Sequence, residues 1–179
     1  MRAAAFLILF LLPGLASAND WDALEQPGAM AVMRHALAPG TGDPSEFRLD
    51  DCATQRNLDA RGREQARRIG EAFRARGIAF AQVLSSQWCR TRETADLLDL
   101  GPVSDAPPLN SFFQDFATRE RQTRETRALI GSAEGRLMLV THQVNISALT
   151  GRGTRSGEVL VIRDTDGEIE ILGSILIDP

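Results

Sequence analysis

Two histidines occur in 179 residues, and each stands where an apolar run stops. His35 follows "AVM" and Arg34, in the stretch "AVMRHALAPG". His142 follows "LMLVT" and precedes Gln143. A third run, "QVLSS", leads through Gln87, Trp88 and Cys89 to Arg90. Two imidazoles and two planar guanidinium forks gathered in one pocket make a site for a dianion, and phosphate fits it. A neutral imidazole nitrogen is also a competent nucleophile toward phosphorus. Surrounding cations stabilise the phosphoryl oxygens as charge redistributes, and they lower the pKa of a nearby histidine, which keeps an attacking ring neutral. Taken singly, each histidine reads as a satisfied strand-end residue. The four together point to catalysis. No H-x-x-H and no clustered Cys/His spacing is present, so neither a metal nor another cofactor is expected.

These side chains meet only if the elements before them are parallel neighbours. "AMAVM", "FAQVLSS" and "RLMLVTH" read as buried strands. "NLDARGREQARRIGEAFRARG" reads as an amphipathic helix: Asp59 caps its start, Gly77 closes it, and Leu58, Ala66, Ile69 and Phe73 recur at helical spacing. "RTRETADLLDLG", "FQDFATRERQTRETRALIG" and "QVNISALTG" read as further helices, and residues 102–108 hold at most a very short strand. "EVLVIR" and "EIEILGSIL" flank Asp166-Gly167 as a hairpin. Strands alternating with helices predict an α/β three-layer sandwich. Its mixed central sheet is mostly parallel, with an antiparallel edge from the hairpin. In such sheets the ligand sits outside the carboxyl ends of the strands, where Arg34, His35, Arg90 and His142 fall. Residues 36–57 are polar and rich in glycine and proline. A structureless loop of that length is usually functional. Trp88, Phe112, Phe113 and Phe116 either line a pocket or pack in the core, and core packing is the default for all four.

The bulk numbers suit one folded domain, residues 19–179, after a leader at 1–18. "MRAAAFLILFLLPGLASA" has the charged, apolar and small-residue order of a secretory signal peptide, ending in Ala16-Ser17-Ala18. Its apolar part is too short to span a bilayer comfortably. Export to the periplasm or the medium is therefore expected, with no stable membrane anchor after cleavage. The formal net charge is −4, so nothing global suggests nucleic acid or an anionic membrane. All 20 basic residues are arginine, so an arginine is informative only at a meaningful position. Cys52 and Cys89 are the only cysteines. They are either a disulfide or two partly buried thiols. In an oxidising compartment a lone pair commonly bonds, and the expectation is a bridge tying the long loop to the pocket wall.

"VMRHA", "SSQWCRTRETA" and "LVTHQ" resemble the three signatures of the histidine phosphatase superfamily, also called phosphoglycerate mutase-like. "LDARGREQA" resembles that family's helix between the first two signatures. The resemblance covers nearly all of the chain beyond the leader. It implies the family's α/β fold and a phosphatase that works through phosphohistidine. His35 would be the nucleophile, Arg34 and Arg90 would hold the phosphoryl group, and His142 would contact the same oxygens, with Gln143 beside it on the substrate. Ser85, Thr94 and Gln65 match positions read as structural. Two departures stand out. Ala36 replaces the glycine that usually follows Arg-His and should crowd the turn. "PPLNSFFQD" has Asn110 and Ser111 where many members carry a glutamate that protonates the leaving group. The acid is then displaced or absent. Asp115, which would open a helix near the expected position, is the first candidate. Glu46 and Asp43 follow, then Asp50 and Asp51. Phosphohistidine phosphatases of the superfamily lack that glutamate. Envelope members include lipopolysaccharide core heptose phosphatases, which this chain resembles in being short, exported and without the usual glutamate. The expected partner is thus a small-molecule or envelope phosphomonoester. The rival is a phosphate- or phosphosugar-binding module that has lost turnover.

Overall fold

Three apolar runs form parallel neighbours at the centre of the sheet. A computed structural model describes residues 19–179, so the leader and its cleavage site lie outside the described residues. The elements are β1 (Met30–Arg34), α1 (Ala60–Ala75), β2 (Gln82–Ser85), α2 (Cys89–Leu98), β3 (Val103–Asp105), α3 (Arg119–Gly131), β4 (Leu137–Thr141), α4 (Gln143–Thr150), β5 (Val159–Thr165) and β6 (Glu168–Ile175). The strand order is β3-β2-β4-β1-β5-β6. β3, β2, β4 and β1 run parallel; β5 is antiparallel to β1, and β6 is antiparallel to β5 and joined to it through Asp166-Gly167. Both turn residues have positive φ, 55° and 89°, as the tight hairpin turn requires.

The two faces of the sheet follow from period-two alternation. Ala31, Met33, Val83, Met138 and Val140 point to one side, against Ile69 and Phe73 of α1 and Leu98 of α2. Val32, Leu84, Leu137 and Leu139 point to the other, against Ile130 of α3 and Ile146 and Leu149 of α4. The three-layer sandwich and its mixed sheet match the sequence expectation.

α1 is capped as expected: the Asp59 side chain accepts from the Gly62 N–H, and Gly77 closes the end at φ 66°. Two glycines of α1 serve close approach. A Cβ at Gly70 would fall 1.9 Å from the Leu98 carbonyl oxygen, and one at Gly62 would fall 1.9 Å from that of Leu37. The first lets α1 lie against α2. The second seats the start of α1 against the loop that leaves β1. α3 begins later than its pattern suggests. Residues Phe116–Thr118 form a separate 3-10 turn, capped by the Asp115 carboxylate accepting from the Ala117 N–H, and the α-helix starts at Arg119.

Candidate active site

Register brings the strand ends together. Arg34 of β1 lies opposite Thr141 of β4, and Ser85 of β2 opposite Val140. The residues that follow, His35, Ser86 and His142, therefore emerge along one edge of the sheet. Backbone bonds extend the ladder by one step: the His35 N–H donates to Thr141 O and the Ser86 N–H to Val140 O, each at 3.0 Å. The turn after His35 needs no left-handed backbone, since Asp99 and Asp166 are the non-glycine residues with positive φ. Ala36 thus fits without the crowding expected of it. It is buried, and its N–H donates to Thr94 Oγ1 at 3.1 Å. Gln65 braces the same turn, accepting from the Leu37 N–H at 2.9 Å.

The two histidine rings are 5.6 Å apart and nearly fully buried. Arg90, in the first turn of α2, is wedged beside both. Its Nε–H donates to His35 Nε2 at 3.3 Å and its Nη2 to His142 Nδ1 at 3.4 Å. An arginine can only donate and a carbonyl can only accept, which sets both tautomers. His35 carries its proton on Nδ1 and donates it to the Ala36 carbonyl at 2.8 Å, leaving Nε2 unprotonated, its lone pair engaged only by the long Arg90 Nε–H contact. His142 carries its proton on Nε2 and donates it to Ser86 Oγ at 2.8 Å. Burial, then the charge of Arg90, pushes the pKa of both rings well below the ordinary histidine value. Arg34 and Arg56 push the same way, with the Ala36 carbonyl opposing at His35. Both rings are therefore neutral at pH 7.

Three arginines line this pocket, one more than the sequence reading placed there. Arg34 donates from Nη1 to Thr154 O at 3.1 Å and to Gln143 Oε1 at 3.5 Å. Its buried Nε has no hydrogen-bond partner among the described residues. Arg56 comes from the long loop. Its Nε donates to Gly42 O at 2.8 Å and its Nη1 to Ala38 O. Burial and then the charge of Arg90 lower its pKa to about 10, with Asp43 opposing. Gln143 sits at the pocket edge with its amide committed to Arg34, Thr154 and Ser147, so it orients Arg34.

Of the candidate acids, Asp43 reaches the pocket and the other four do not. Asp115 is exposed, spends its carboxylate on the Ala117 N–H and does not line the pocket. Glu46 is exposed, bonded to Ser45, and also outside the lining. Asp50 and Asp51 are likewise outside it, with Asp51 accepting from Arg48 and the Ala53 N–H. Asp43 does line the pocket, as one half of a buried pair. Its two oxygens accept from Arg90 Nη1 at 2.7 Å and Nη2 at 3.1 Å, with side chains 6% and 3% exposed. Burial pushes the Asp43 carboxyl up, but the Arg90 fork outweighs it and holds the group below its ordinary pKa, ionised. Asn110, at the position where a glutamate was missed, clamps Gln87 through two bonds of 2.9 Å. The aromatic assignment also needs correction. Trp88 and Phe112 are buried, but Phe113 and Phe116 are exposed, and Trp88 and Phe113 line the pocket.

Cys52 and Cys89 are joined by a disulfide. The bond fixes the end of the loop that carries Asp43 and Arg56 to the residue before Arg90. Gln55 holds the same junction, accepting from the Cys89 N–H at 2.9 Å.

Two neutral histidines and three arginines gather at the carboxyl edge of the parallel strands, on a phosphoglycerate mutase-like fold. The model of the histidine phosphatase superfamily (branch 1) matches residues 32–109. No curated protein sequence matches the chain. Among solved structures, an Escherichia coli protein assigned as an alpha-ribazole-5'-P phosphatase superposes with a TM-score of 0.62 at 18% identity, covering 83% of this chain and 96% of its own. The protein histidine phosphatase SixA complexed with tungstate gives 0.58 at 15% identity, covering 82% and 96%. A mycobacterial glucosyl-3-phosphoglycerate phosphatase with VO3 gives 0.60 at 16% identity, covering 80% and 96%. Residues 32–109 are thus similar to the histidine phosphatase superfamily (branch 1), and the fold is the one these solved structures share.

Proposed function

We propose that this protein is an exported phosphatase that hydrolyses phosphomonoesters through a phosphohistidine on His35, without a metal ion. The observation that carries the reading is the charge balance of the pocket. Arg34, Arg56 and Arg90 against Asp43 leave two net positive charges around two neutral rings, which suits a phosphoryl dianion. The His35 Nε2 lone pair attacks phosphorus, a P–N bond forms, and the P–O bond to the leaving group breaks with its electron pair on oxygen. Arg34, Arg56 and Arg90 face the phosphoryl oxygens as charge moves onto them, while His142, held between Ser86 and Arg90, lines the same pocket. Water then attacks the phosphohistidine, releasing inorganic phosphate and the neutral ring. The Nδ1–H bond to the Ala36 carbonyl holds the ring through both steps. Tungstate and VO3 in the two phosphatase structures agree with an oxyanion site on this fold. Export is supported by the leader read in the sequence and by the Cys52–Cys89 bond, since disulfides persist in oxidising compartments. An envelope phosphomonoester is the substrate this location favours.

The test uses the chain from Asn19, an aryl phosphate and EDTA. The wild type should turn over and trap an acid-labile phosphoenzyme on rapid quenching. His35→Ala should lose both, and a phosphoenzyme in that variant would remove His35 from the role. A binding module, the reading favoured by the missing protonated carboxyl, would bind orthovanadate and release no product. Intact-mass measurement of exported protein checks the leader: a mass beginning at Asn19 is expected, and a retained Met1 would defeat the claim.

A further inference from the structure

The floor of the pocket is polar, whereas its mouth is apolar. Phe113 stands at the rim and is 47% exposed. It is backed by Phe116, 58% exposed, at a ring separation of 6.2 Å. These are the exposed large hydrophobic side chains among the described residues. Phe113 faces the loop after β1, where a Cβ built on Gly42 would lie 3.7 Å from its Cε1. Val144 and Trp88 continue the lining. An aromatic ring left half in water at the mouth of the pocket offers a flat apolar face to whatever the phosphoryl group is attached to.

A second observation concerns the leaving group. The one carboxylate in the lining, Asp43, is bound on both oxygens by Arg90. Asp115 and Glu46 lie outside the lining, and the Asn110 amide is tied to Gln87. Among the described residues, no protonated carboxyl lines the pocket to protonate a departing oxygen. General acid catalysis contributes about 10²–10⁴-fold where the leaving group is an alkoxide. A phenolate needs far less help, since its ring spreads the charge.

We propose that this site is built for aryl phosphate monoesters, with the phosphoryl group at His35 and the aromatic leaving group against Phe113. The inference rests on the phosphatase reading and names its substrate class. His35 Nε2 bonds to phosphorus as the P–O(aryl) bond breaks, and the phenolate leaves with the electron pair and takes a proton from water. A phosphorylated tyrosine in a peptide and a free phenyl phosphate share this chemistry.

The experiment compares phenyl phosphate, a phosphotyrosyl peptide, benzyl phosphate and glucose 6-phosphate in the wild type, Phe113→Ala and Phe113→Leu. Phenyl phosphate should exceed glucose 6-phosphate in kcat/KM by about 100-fold or more. Benzyl phosphate keeps the ring but leaves as an alkoxide, so it should share the KM of phenyl phosphate and lose kcat. Phe113→Ala should raise the KM of both ring-bearing esters about threefold to tenfold, leave the Ki of orthovanadate unchanged, and be partly rescued by Phe113→Leu. If the peptide is the better aryl substrate the source is protein-borne; if it is excluded the source is a small molecule. Comparable rates for glucose 6-phosphate, or a KM shift shared equally by all four esters, would overturn the proposal while leaving the phosphatase standing. If no ester turns over, the phosphatase reading fails, and calorimetric binding of phenylphosphonate against methylphosphonate still reads the mouth. A phenyl preference lost in Phe113→Ala supports it, and equal binding overturns it.

Discussion

Lowering the pH from 7 to 5 should destabilise this protein through its two histidines. Both rings are buried at 2% and 3% exposure, locked in neutral tautomers by Ala36 O and Ser86 Oγ, and pushed well below the ordinary value by burial and Arg90. In the unfolded chain each titrates near 6.5. Below that pH the unfolded state binds up to two more protons than the native state. Stability is therefore full above pH 6.5 and is lost as pH falls toward the native values. Each ring contributes a limiting slope of about 1.4 kcal/mol per pH unit, so together they approach ~2.7. Integrated between pH 7 and 5, the loss has an upper limit of about 4 kcal/mol, reached when both native rings stay neutral throughout. That is a large part of the ~5–15 kcal/mol that holds a domain folded. The chain has no other histidine, and the depressed carboxylates Asp43, Glu46 and Asp51 add their losses mainly as the pH nears 4, so the histidines dominate the window. Urea denaturation of the chain from Asn19 at pH 7, 6 and 5 measures the loss, and a His35→Gln/His142→Gln variant should be nearly flat over the same range. A wild type as stable at pH 5 as at pH 7, or a double variant with the same slope, would refute neutral buried rings and with them a neutral attacking nitrogen.

Replacing both cysteines by serine should cost about 4 kcal/mol, the loop-closure value for a separation of 37 residues. Urea unfolding checks this, and a loss below about 1 kcal/mol would mean that the loop is held without the bond. The same change should raise KM, because Asp43 and Arg56 ride on the loop that the bond fastens beside Arg90. Arg56→Ala should weaken orthovanadate inhibition by about 10-fold or more, as expected for one charge-assisted contact, with Arg56→Lys recovering only part. An unchanged Ki would remove Arg56 from the anion site.

Much of the site is written in short-range pattern. The apolar runs that become β1, β2 and β4 end at residues whose position depends only on period-two burial and the helix starts that follow. His35, Arg90 and His142 could therefore be placed at a shared sheet edge once the strands were taken as parallel. The cap at Asp59 and the turn at Asp166-Gly167 are equally local, because each side chain or φ value acts within a few residues. Arg56 had no such signal. It is one of 20 arginines in a chain without lysine, it lies in an aperiodic loop, and its guanidinium is aimed by carbonyls of Gly42 and Ala38. Ser86 was passed over for the same reason, since its hydroxyl matters only because His142 crosses to meet it.

By itself, then, the sequence determined the alternation of strands and helices, the edge on which the histidines emerge, and the arginines Arg34 and Arg90 beside them. Only the tertiary structure decided what each polar group does there. Asp43 and Arg90 are 47 residues apart and Cys52 and Cys89 are 37 apart, so their pairing depends on how the loop closes over the sheet. That closure turns a candidate proton donor into a counter-ion of Arg90. Folding likewise leaves Phe113 in water while burying Phe112 beside it, a difference that residue type cannot carry because burial is set by neighbours distant in the chain.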